Sequence, residues 1–200
     1  MAHSTRSGSS LAHPVMLFGL LSASRRLDSA AYRAVCADIG TTLEASERLA
    51  GEGILLGNLP LRLALEGLSR SPHYPAISEL AGRECCNFLL RDLKSPAIIK
   101  GTAFPQFAFG RAVKSAAKLL SGLDSGMSVS LLRKRNLYFA EVRGSPFALG
   151  NSTVPQCAFI TGFFRHALYQ SRGAEPEVEE LVCAGCDSAS RFCLFALPEK

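Results

Sequence analysis

The sequence predicts an α+β fold in which N-terminal helices pack on a small antiparallel sheet. Two observations lead to this prediction. Apolar residues recur at helical spacing as far as Leu120, and strand-like runs then follow in two pairs with one further helix between them. Runs of like elements, rather than strict alternation of strands and helices, favour an antiparallel sheet. The chain has 200 residues, of which 48% are apolar and 20% charged, and this suffices to bury a single core.

The N-terminal stretch, residues 1–27, is expected to be a flexible tail or a first helix, which leaves residues 28–200 as a single domain. It contains three arginines and no acidic residue, and its apolar run at 15–21 is too short to span a membrane. We therefore expect a cytoplasmic protein. The Ser- and Arg-containing, acid-free composition resembles an organelle transit peptide, which is the alternative interpretation.

The elements of the domain follow from hydrophobic periodicity and from turn residues. A helix is predicted over residues 29–50 with Asp28 or Ser29 as its N-cap, and Pro60 fits the first turn of the next helix. The further predicted helices are residues 59–68, 76–93, 105–120 and 156–170. The predicted strands are residues 127–132, 137–142, 178–183 and 192–197. The last two strands form a hairpin with a cysteine-bearing turn.

The cysteines are many for a chain of this length, and their number, seven, excludes complete internal pairing. Clustered thiols without a convincing secretory signal favour metal ligation over a disulfide framework. Cys85 and Cys86 are adjacent on a predicted helix and point about 100° apart, so they cannot jointly face one metal. Together with Cys36, they are expected to pack in the core as small apolar groups.

The remaining cysteines, with Glu180, form the candidate metal centre. Zinc prefers four tetrahedral ligands and accepts thiolates as well as carboxylates. Glu180 and Cys183 approach the turn of the final hairpin, and Cys193 lies on its second strand. Cys157 begins the preceding helix, where the helix dipole favours a thiolate. Cys183 and Cys186 also form a Cys-x-x-Cys pair, so redox chemistry and thiols without metal remain alternatives.

At these residues the sequence resembles a known family. The stretch 129–197 is similar to the 4-vinyl-reductase domain, which is related in fold to bacterial sensory domains that bind aromatic effectors and to Bet3-like subunits of vesicle-tethering complexes. A Pro-containing motif, a cysteine at a helix start, Glu-x-x-Cys and a final Cys-x-Phe carry the resemblance. The matching residues are Gly144–Phe147, Cys157, Gly162, Glu180, Cys183, Gly185, Cys193 and Phe195.

The resemblance implies a structural zinc held by Cys157, Glu180, Cys183 and Cys193. The interval between Cys183 and Cys193 is longer than the family pattern, and Cys186 is an extra thiol in the turn. Replacement of Glu180 by Cys186 in a four-cysteine site is therefore an alternative ligand set. In either case the fold ends in a zinc-bound β-hairpin, and four protein ligands leave no open position for catalysis.

The resemblance also implies the partners. Free-standing family members of this length act in bacteriochlorophyll biosynthesis and photosynthesis, which implies a tetrapyrrole or another hydrophobic aromatic ligand. An apolar cavity between the helices and the sheet would suit such a ligand. The phenylalanines expected near it are Phe104, Phe107, Phe109, Phe139, Phe159, Phe163 and Phe164. We expect a binding or carrier protein, with a homodimer as a candidate assembly and a Bet3-like interaction subunit as the alternative.

Other function classes find no support in the residues. The net charge of +5 includes the three arginines of residues 1–27, so no clustered basic face predicts a nucleic-acid partner. A vinyl-reductase activity is implied by the family name alone. The sequence contains no glycine-rich phosphate loop or dinucleotide fingerprint for a hydride donor, and no relay of histidine, serine and acid. We therefore expect no catalytic residues.

Overall fold

Helices form the N-terminal half of the molecule and an antiparallel sheet closes its C-terminal part. The computed structural model describes residues 11–92, 105–148, 157–173, 176–186 and 190–199. Within these ranges the helices are α1 Pro14–Leu27, α2 Ser29–Ile39, α3 Leu43–Glu52, α4 Leu59–Leu68, α5 Tyr74–Asp92, α6 Pro105–Ser121 and α7 Ala158–Arg172. The strands are β1 Leu11–Ala12, β2 Leu56–Gly57, β3 Ser128–Lys134, β4 Leu137–Arg143, β5 Glu179–Val182 and β6 Phe192–Pro198.

The four longer strands form one antiparallel sheet in the order β3-β4-β6-β5. The α+β class with an antiparallel sheet is thereby confirmed. Side chains alternate across the central strands, so that Ala140 and Val142 of β4 are buried beside Phe195 and Cys193 of β6. Helix α7 packs against this buried face, where the rings of Phe164 and Phe195 are 6.4 Å apart.

Helix α5 lies between α1 and α7, and these three helices form the centre of the core. Its predicted apolar stripe is confirmed, since Ile77, Ala81 and Cys85 are fully buried. Cys86 is fully buried as well, as expected. Cys36 is only half-buried and packs at the margin of the core, so the expectation of a core position is met only in part.

Helix α1 is a central element. Its fully buried side chains include Val15, Met16, Leu20, Leu21 and Ala23. It begins with Pro14 at the first helical position, and His13 caps it by accepting a hydrogen bond from the Val15 backbone N–H through Nδ1 at 3.2 Å. The apolar run at 15–21 is therefore a core helix. None of the helices that the structure describes is long and apolar enough to cross a membrane.

The predicted single helix over residues 29–50 is wrong, because two helices occupy this region. Asp28 caps the first of them, as predicted, and accepts a hydrogen bond from the Ala31 N–H at 3.0 Å. That helix ends at Gly40, which adopts a left-handed conformation with φ of 63°. Thr42 then caps the second helix by accepting from the Ala45 N–H at 3.2 Å. The apolar periodicity alone predicts one continuous helix here. The glycine at the end of the first helix and the N-cap residue of the second divide it into two.

Candidate metal centre

Four residues that are distant in the sequence converge where α7 meets the final hairpin. Cys157 is the N-cap residue of α7, Glu180 lies on β5, Cys183 directly follows β5, and Cys193 lies on β6. Their ligand atoms, three sulfurs and one carboxylate oxygen, all lie within 4.8 Å of one another. The three cysteines are buried and Glu180 is half-buried. The structure thus brings together Cys157, Glu180, Cys183 and Cys193.

An irregularity in β5 allows Glu180 and Cys183 to share one face. Residues three apart on a regular strand point to opposite faces of a sheet. The pairing of β5 with β6 shifts register between Glu180 and Val182, so Glu180 lies opposite Phe195 and Val182 opposite Leu194. An extra residue of this kind is a β-bulge, which re-aims the side chains that follow it. As a result Cys183 is directed toward the buried face that already carries Glu180.

The helix start leaves the Cys157 thiol available to the cluster. Its side chain makes no capping hydrogen bond, while its carbonyl accepts from the backbone N–H of Ile160 at 2.9 Å. The Sγ atoms of Cys157 and Cys193 are 2.7 Å apart. None of the seven cysteines forms a disulfide. The Cys193 sulfur also accepts from the Ala184 N–H at 3.4 Å.

Contacts within the cluster shift the pKa values of its thiols in different directions. Hydrogen bonds to Cys183 and Cys193, together with burial, raise the pKa of Cys157 far above the ordinary thiol value. The hydrogen bond with Cys157 lowers the pKa of Cys193. Either sulfur of the pair can be the donor of this hydrogen bond. Burial of several such groups as anions would be very unfavourable without a cation.

Glu180 completes a donor set that fits a metal. Its Oε1 atom is buried and has no hydrogen-bond partner among the described residues. Burial, followed by the interaction with Cys183, raises the pKa of Glu180 to about 9. In a tetrahedral site with Zn–S bonds of about 2.3 Å, neighbouring sulfurs are roughly 3.8 Å apart. The three-sulfur, one-oxygen donor set suits a metal ion, and the 2.7 Å between the Sγ atoms of Cys157 and Cys193 would have to widen to this distance when one is bound.

Cys186 lies outside this group of four. Its side chain is exposed, and its backbone N–H donates to the Cys183 carbonyl at 3.1 Å in the turn after β5. The alternative four-cysteine ligand set would require this turn to rearrange, because the structure directs Glu180 rather than Cys186 toward the other ligands.

Of the phenylalanines expected near a cavity between helices and sheet, most of those that the structure describes are buried in the core. Phe159, Phe163 and Phe164 are fully buried, and the Phe159 ring stacks on Phe147 with centroids 3.9 Å apart. Phe109 is buried against Tyr138. Phe139 is half-buried, and Phe104 and the Phe107 side chain lie outside the described residues. Phe159 and Phe163 pack on each other and Phe164 packs on Phe195 of the sheet, so these three rings belong to the core.

A cleft of about 550 Å³ lies elsewhere, among α1, α3 and α5. Phe18 of α1 and Phe88 of α5 contribute its aromatic wall, and their ring centroids are 5.4 Å apart. The polar lining consists of Arg26, Glu47, Glu84, Asn87 and Arg91. Arg26 and Glu84 form an ion pair of 2.7 Å. Sequence periodicity did not single out this cleft, because its walls come from three separate helices.

Similarities to known proteins lie in the fold. No family model matches the chain, and no curated protein sequence matches it either. The phenol-responsive sensory domain of the transcription activator PoxR, solved with phenol, is similar with a TM-score of 0.53 and 19% identity over 72% of this chain and 76% of that chain. A mutant H-NOX protein from K. algicida, solved in its Fe(II) unliganded form, is similar with a TM-score of 0.58 and 9% identity, covering 94% of this chain and 96% of that chain.

A doubly substituted Tt H-NOX protein has a TM-score of 0.50 and 11% identity, covering 92% of each chain. At such identities the likeness concerns the fold. The chain thus shares its overall fold with the PoxR sensory domain and with these two H-NOX proteins.

Proposed function

We propose that this protein is a small-molecule-binding domain stabilised by a structural zinc, and that it belongs to the 4-vinyl-reductase domain family. The convergence of Cys157, Glu180, Cys183 and Cys193 carries the proposal. Zinc would replace the shared protons of the cluster and neutralise part of its negative charge. It would tie β5 and β6 to the start of α7, and the four protein ligands would complete the tetrahedron.

The proposed ligand is a hydrophobic aromatic molecule, with a tetrapyrrole of the bacteriochlorophyll pathway as the candidate that the family resemblance supplies. The fold shared with a phenol-responsive sensory domain supports a small-molecule ligand. The cleft among α1, α3 and α5 is the proposed position, because its volume of about 550 Å³ lies within the usual range of ligand sites. The rings of Phe18 and Phe88 would contact the flat face of the ligand.

The polar lining of the cleft would orient the ligand. Arg26 is already paired with Glu84, whereas Arg91 lies at the end of α5 with its side chain exposed. A carboxylate on the ligand, as on many tetrapyrroles, would find its counter-ion in Arg91. A binding or carrier role follows from this arrangement, and no step of bond formation or cleavage is assigned to the residues of the cleft.

Native mass spectrometry of protein purified without chelator tests the proposal. We expect one zinc per chain and, from a host that makes the pigment, a bound tetrapyrrole. Chlorophyllide and phenol are then titrated into the zinc-loaded protein by calorimetry. Phe88→Ala is expected to weaken chlorophyllide binding about tenfold, which corresponds to about 1.4 kcal/mol. Leu132→Ala, at an exposed position of β3, is the control and should leave binding unchanged.

A metal-free protein that binds neither chlorophyllide nor phenol would contradict the proposed function. If the Phe88→Ala variant and the wild type bind chlorophyllide with equal affinity, the proposed position of the ligand in the cleft is contradicted. The proposed zinc site is not affected by that result.

An interaction subunit is the second candidate. Around β2 and the start of α4, large apolar side chains are exposed: Ile54 61%, Leu55 38%, Leu59 63% and Leu63 39%. A run of exposed apolar groups of this kind is typical of a surface that contacts another protein. The subunit count from the same mass spectra separates the two candidates, since an interaction subunit would appear in an assembly without a bound small molecule.

A further inference from the structure

One edge of the four-stranded sheet lacks a partner strand. Strand β3 pairs with β4 on one side, from Ser128 to Lys134 in an unbroken register, and no described strand lies on its other side. Every residue of β3 is exposed or half-buried, and Leu132, at 65%, is the most exposed of the large apolar residues that the structure describes. An unpaired edge strand presents a row of free N–H and C=O groups to any strand that approaches it.

The opposite edge of the sheet differs in this respect. Strand β5 has four residues and a register shift between Glu180 and Val182. Short edge strands and bulges both oppose pairing with a further strand. Strand β3 has seven residues and no such shift, and its charged residues, Arg133 and Lys134, both lie next to the turn. The edge at β3 is therefore the one suited to pairing.

A hydrogen bond from β3 to the end of α6 shows which backbone groups of the strand point outward. The Val129 N–H donates to the Ser121 Oγ at 3.1 Å, so this N–H is directed away from β4. In an antiparallel ladder, the backbone groups of alternate residues point to the same side. Those of Leu131 and Arg133 therefore point outward as well, and on that side they have no hydrogen-bond partner among the described residues.

We propose that β3 pairs with β3 of a second copy of this chain, antiparallel and about a twofold axis at Leu131. The N–H of Leu131 would donate to the C=O of the partner subunit's Leu131, and the N–H of Arg133 to the C=O of the partner subunit's Val129. Because both copies present the same donors and acceptors, the twofold axis satisfies each set with the other. The interface uses no residue of the candidate metal centre or of the cleft, so it does not rest on the proposed function.

The charges of β3 fit this register. Arg133 and Lys134 would lie opposite the partner subunit's Val129 and the partner subunit's Ser128, so that no two like charges face each other. Ser121, the last residue of α6, contacts Val129, so both cations would approach the C-terminal end of the partner subunit's α6. The dipole of a helix favours positive charge at that end. The charge distribution therefore favours a second copy in this alignment over one that places the basic residues of both copies together.

The apolar surface of the edge also fits a second copy. In the proposed register, Leu132 lies beside the partner subunit's Ser130 and diagonally across from the partner subunit's Leu132. Diagonal neighbours on antiparallel strands are within reach of long side chains, so the two leucines would cover each other. Pairing would thus remove from water the large apolar side chain that is most exposed in the described part of the single chain.

The substitution Leu131→Pro tests the proposal. Proline removes the outward N–H of residue 131 and is tolerated in an edge strand whose N–H faces solvent, so the pairing of β3 with β4 should survive. Leu131→Ala is the matched control, because it shortens the same side chain and keeps the N–H. Sedimentation velocity of the full chain should show a wild-type dimer that dissociates on dilution. We expect Leu131→Pro to raise the dimer dissociation constant about tenfold or more, and Leu131→Ala to leave it within about twofold.

Amide hydrogen exchange of the wild-type protein, resolved by residue, gives a measure that needs no variant. The Leu131 and Arg133 amides should exchange at least about tenfold more slowly at concentrations where the dimer forms than after dilution to the monomer. The Leu132 amide is the internal control, because it points toward β4 in the single chain. Its exchange should depend much less on concentration.

A wild-type chain that stays monomeric at every concentration would overturn the proposal. A dimer in which the Leu131 and Arg133 amides exchange at the rate of the monomer would overturn it too, because its interface would lie elsewhere. The same holds if Leu131→Pro dimerises as strongly as the wild type. None of these results bears on the zinc site or on ligand binding, which are tested separately.

Discussion

At the scale of single residues, Asp124 is a carboxylate that the fold buries in a turn, where it loses most of its contact with water. It follows α6 and is 3% exposed. Its Oδ1 atom accepts a hydrogen bond from the Gly126 N–H at 2.7 Å, whereas Oδ2 is buried and has no partner among the described residues. Burial raises the pKa of Asp124, with the Gly126 hydrogen bond opposing the rise. Folding therefore favours the neutral, protonated form of the Asp124 side chain.

This pKa shift makes a prediction about stability. Because the folded-state pKa lies above the unfolded value of about 3.9, the folded protein binds more protons between these two values. The contribution of Asp124 is most favourable below the unfolded pKa and is lost as the pH rises through the folded pKa. Asp124→Asn keeps the oxygen that accepts from Gly126 and cannot ionise. As the pH rises from about 4 to about 7, the free energy of unfolding of the variant should therefore increase relative to that of the wild type.

Urea denaturation at several pH values measures this difference. Asp38→Asn, at an exposed position of α2, serves as the control and should show no such gain. Parallel pH profiles of Asp124→Asn and the wild type would mean that the buried carboxylate is not the origin of the effect.

At the scale of secondary-structure elements, the crossing of α5 and α7 depends on two glycines. A Cβ atom on Gly82 would overlap the carbonyl oxygen of Phe159, and one on Gly162 would overlap the carbonyl oxygen of Glu79. The ion pair of Glu79 with Arg165 of α7 at 2.7 Å joins the same two helices, and Arg83, one turn along α5, pairs with the same carboxylate at 2.9 Å. The close approach determines where the start of α7, and with it Cys157, lies relative to α5.

Alanine at either glycine should push the helices apart. We expect Gly82→Ala and Gly162→Ala each to lower the free energy of unfolding by about 1–3 kcal/mol, because overpacking at a backbone contact outweighs the better helix propensity of alanine. Gly51→Ala is the matched control, since Gly51 lies in α3 and its added Cβ would meet open space. That variant should gain about 0.5–1 kcal/mol. Thermal or urea unfolding distinguishes the two outcomes, and equal stability of all three variants would refute the role of the crossing.

At the scale of the whole molecule, the candidate metal centre joins the two parts of the fold. Cys157 belongs to the helical layer, whereas Glu180, Cys183 and Cys193 belong to the hairpin at one side of the sheet. Strand β5 is a four-residue edge strand with a register shift, so few ladder hydrogen bonds hold it. A metal at this position would stabilise the folded protein by its binding free energy, because the unfolded chain does not preform the site.

Removal of the metal should therefore lower stability. With zinc at about 1,000 times its dissociation constant, the stabilisation is about 4 kcal/mol, and a chelator should abolish it. The stabilisation should grow with rising pH, because the thiols and the Glu180 carboxyl, with its pKa of about 9, must lose protons to bind metal. Differential scanning calorimetry with and without chelator measures the effect. Cys193→Ser should lose the chelator response, whereas Cys186→Ser should keep it.

A full loss of the chelator response in Cys186→Ser would favour the four-cysteine ligand set over the arrangement with Glu180. The comparison thus tests the choice of fourth ligand as well as the presence of metal.

The sequence by itself determined the type and order of most elements, because helical and strand periodicities are local and are punctuated by local caps. The helix at Leu59–Leu68 agrees with its prediction at both ends, and the two hairpins and their antiparallel pairing follow the same pattern. The candidate ligands Cys157, Glu180, Cys183 and Cys193 could likewise be named from spacing and family resemblance.

The tertiary structure alone decided how these pieces are used. It divided residues 29–50 at Gly40, buried α1 in the centre of the core, and stacked the rings of Phe147 and Phe159. It also placed Glu180 and Cys183 on one face through the bulge in β5. These outcomes depend on which surfaces meet across long sequence separations, and a local period carries no information about such contacts.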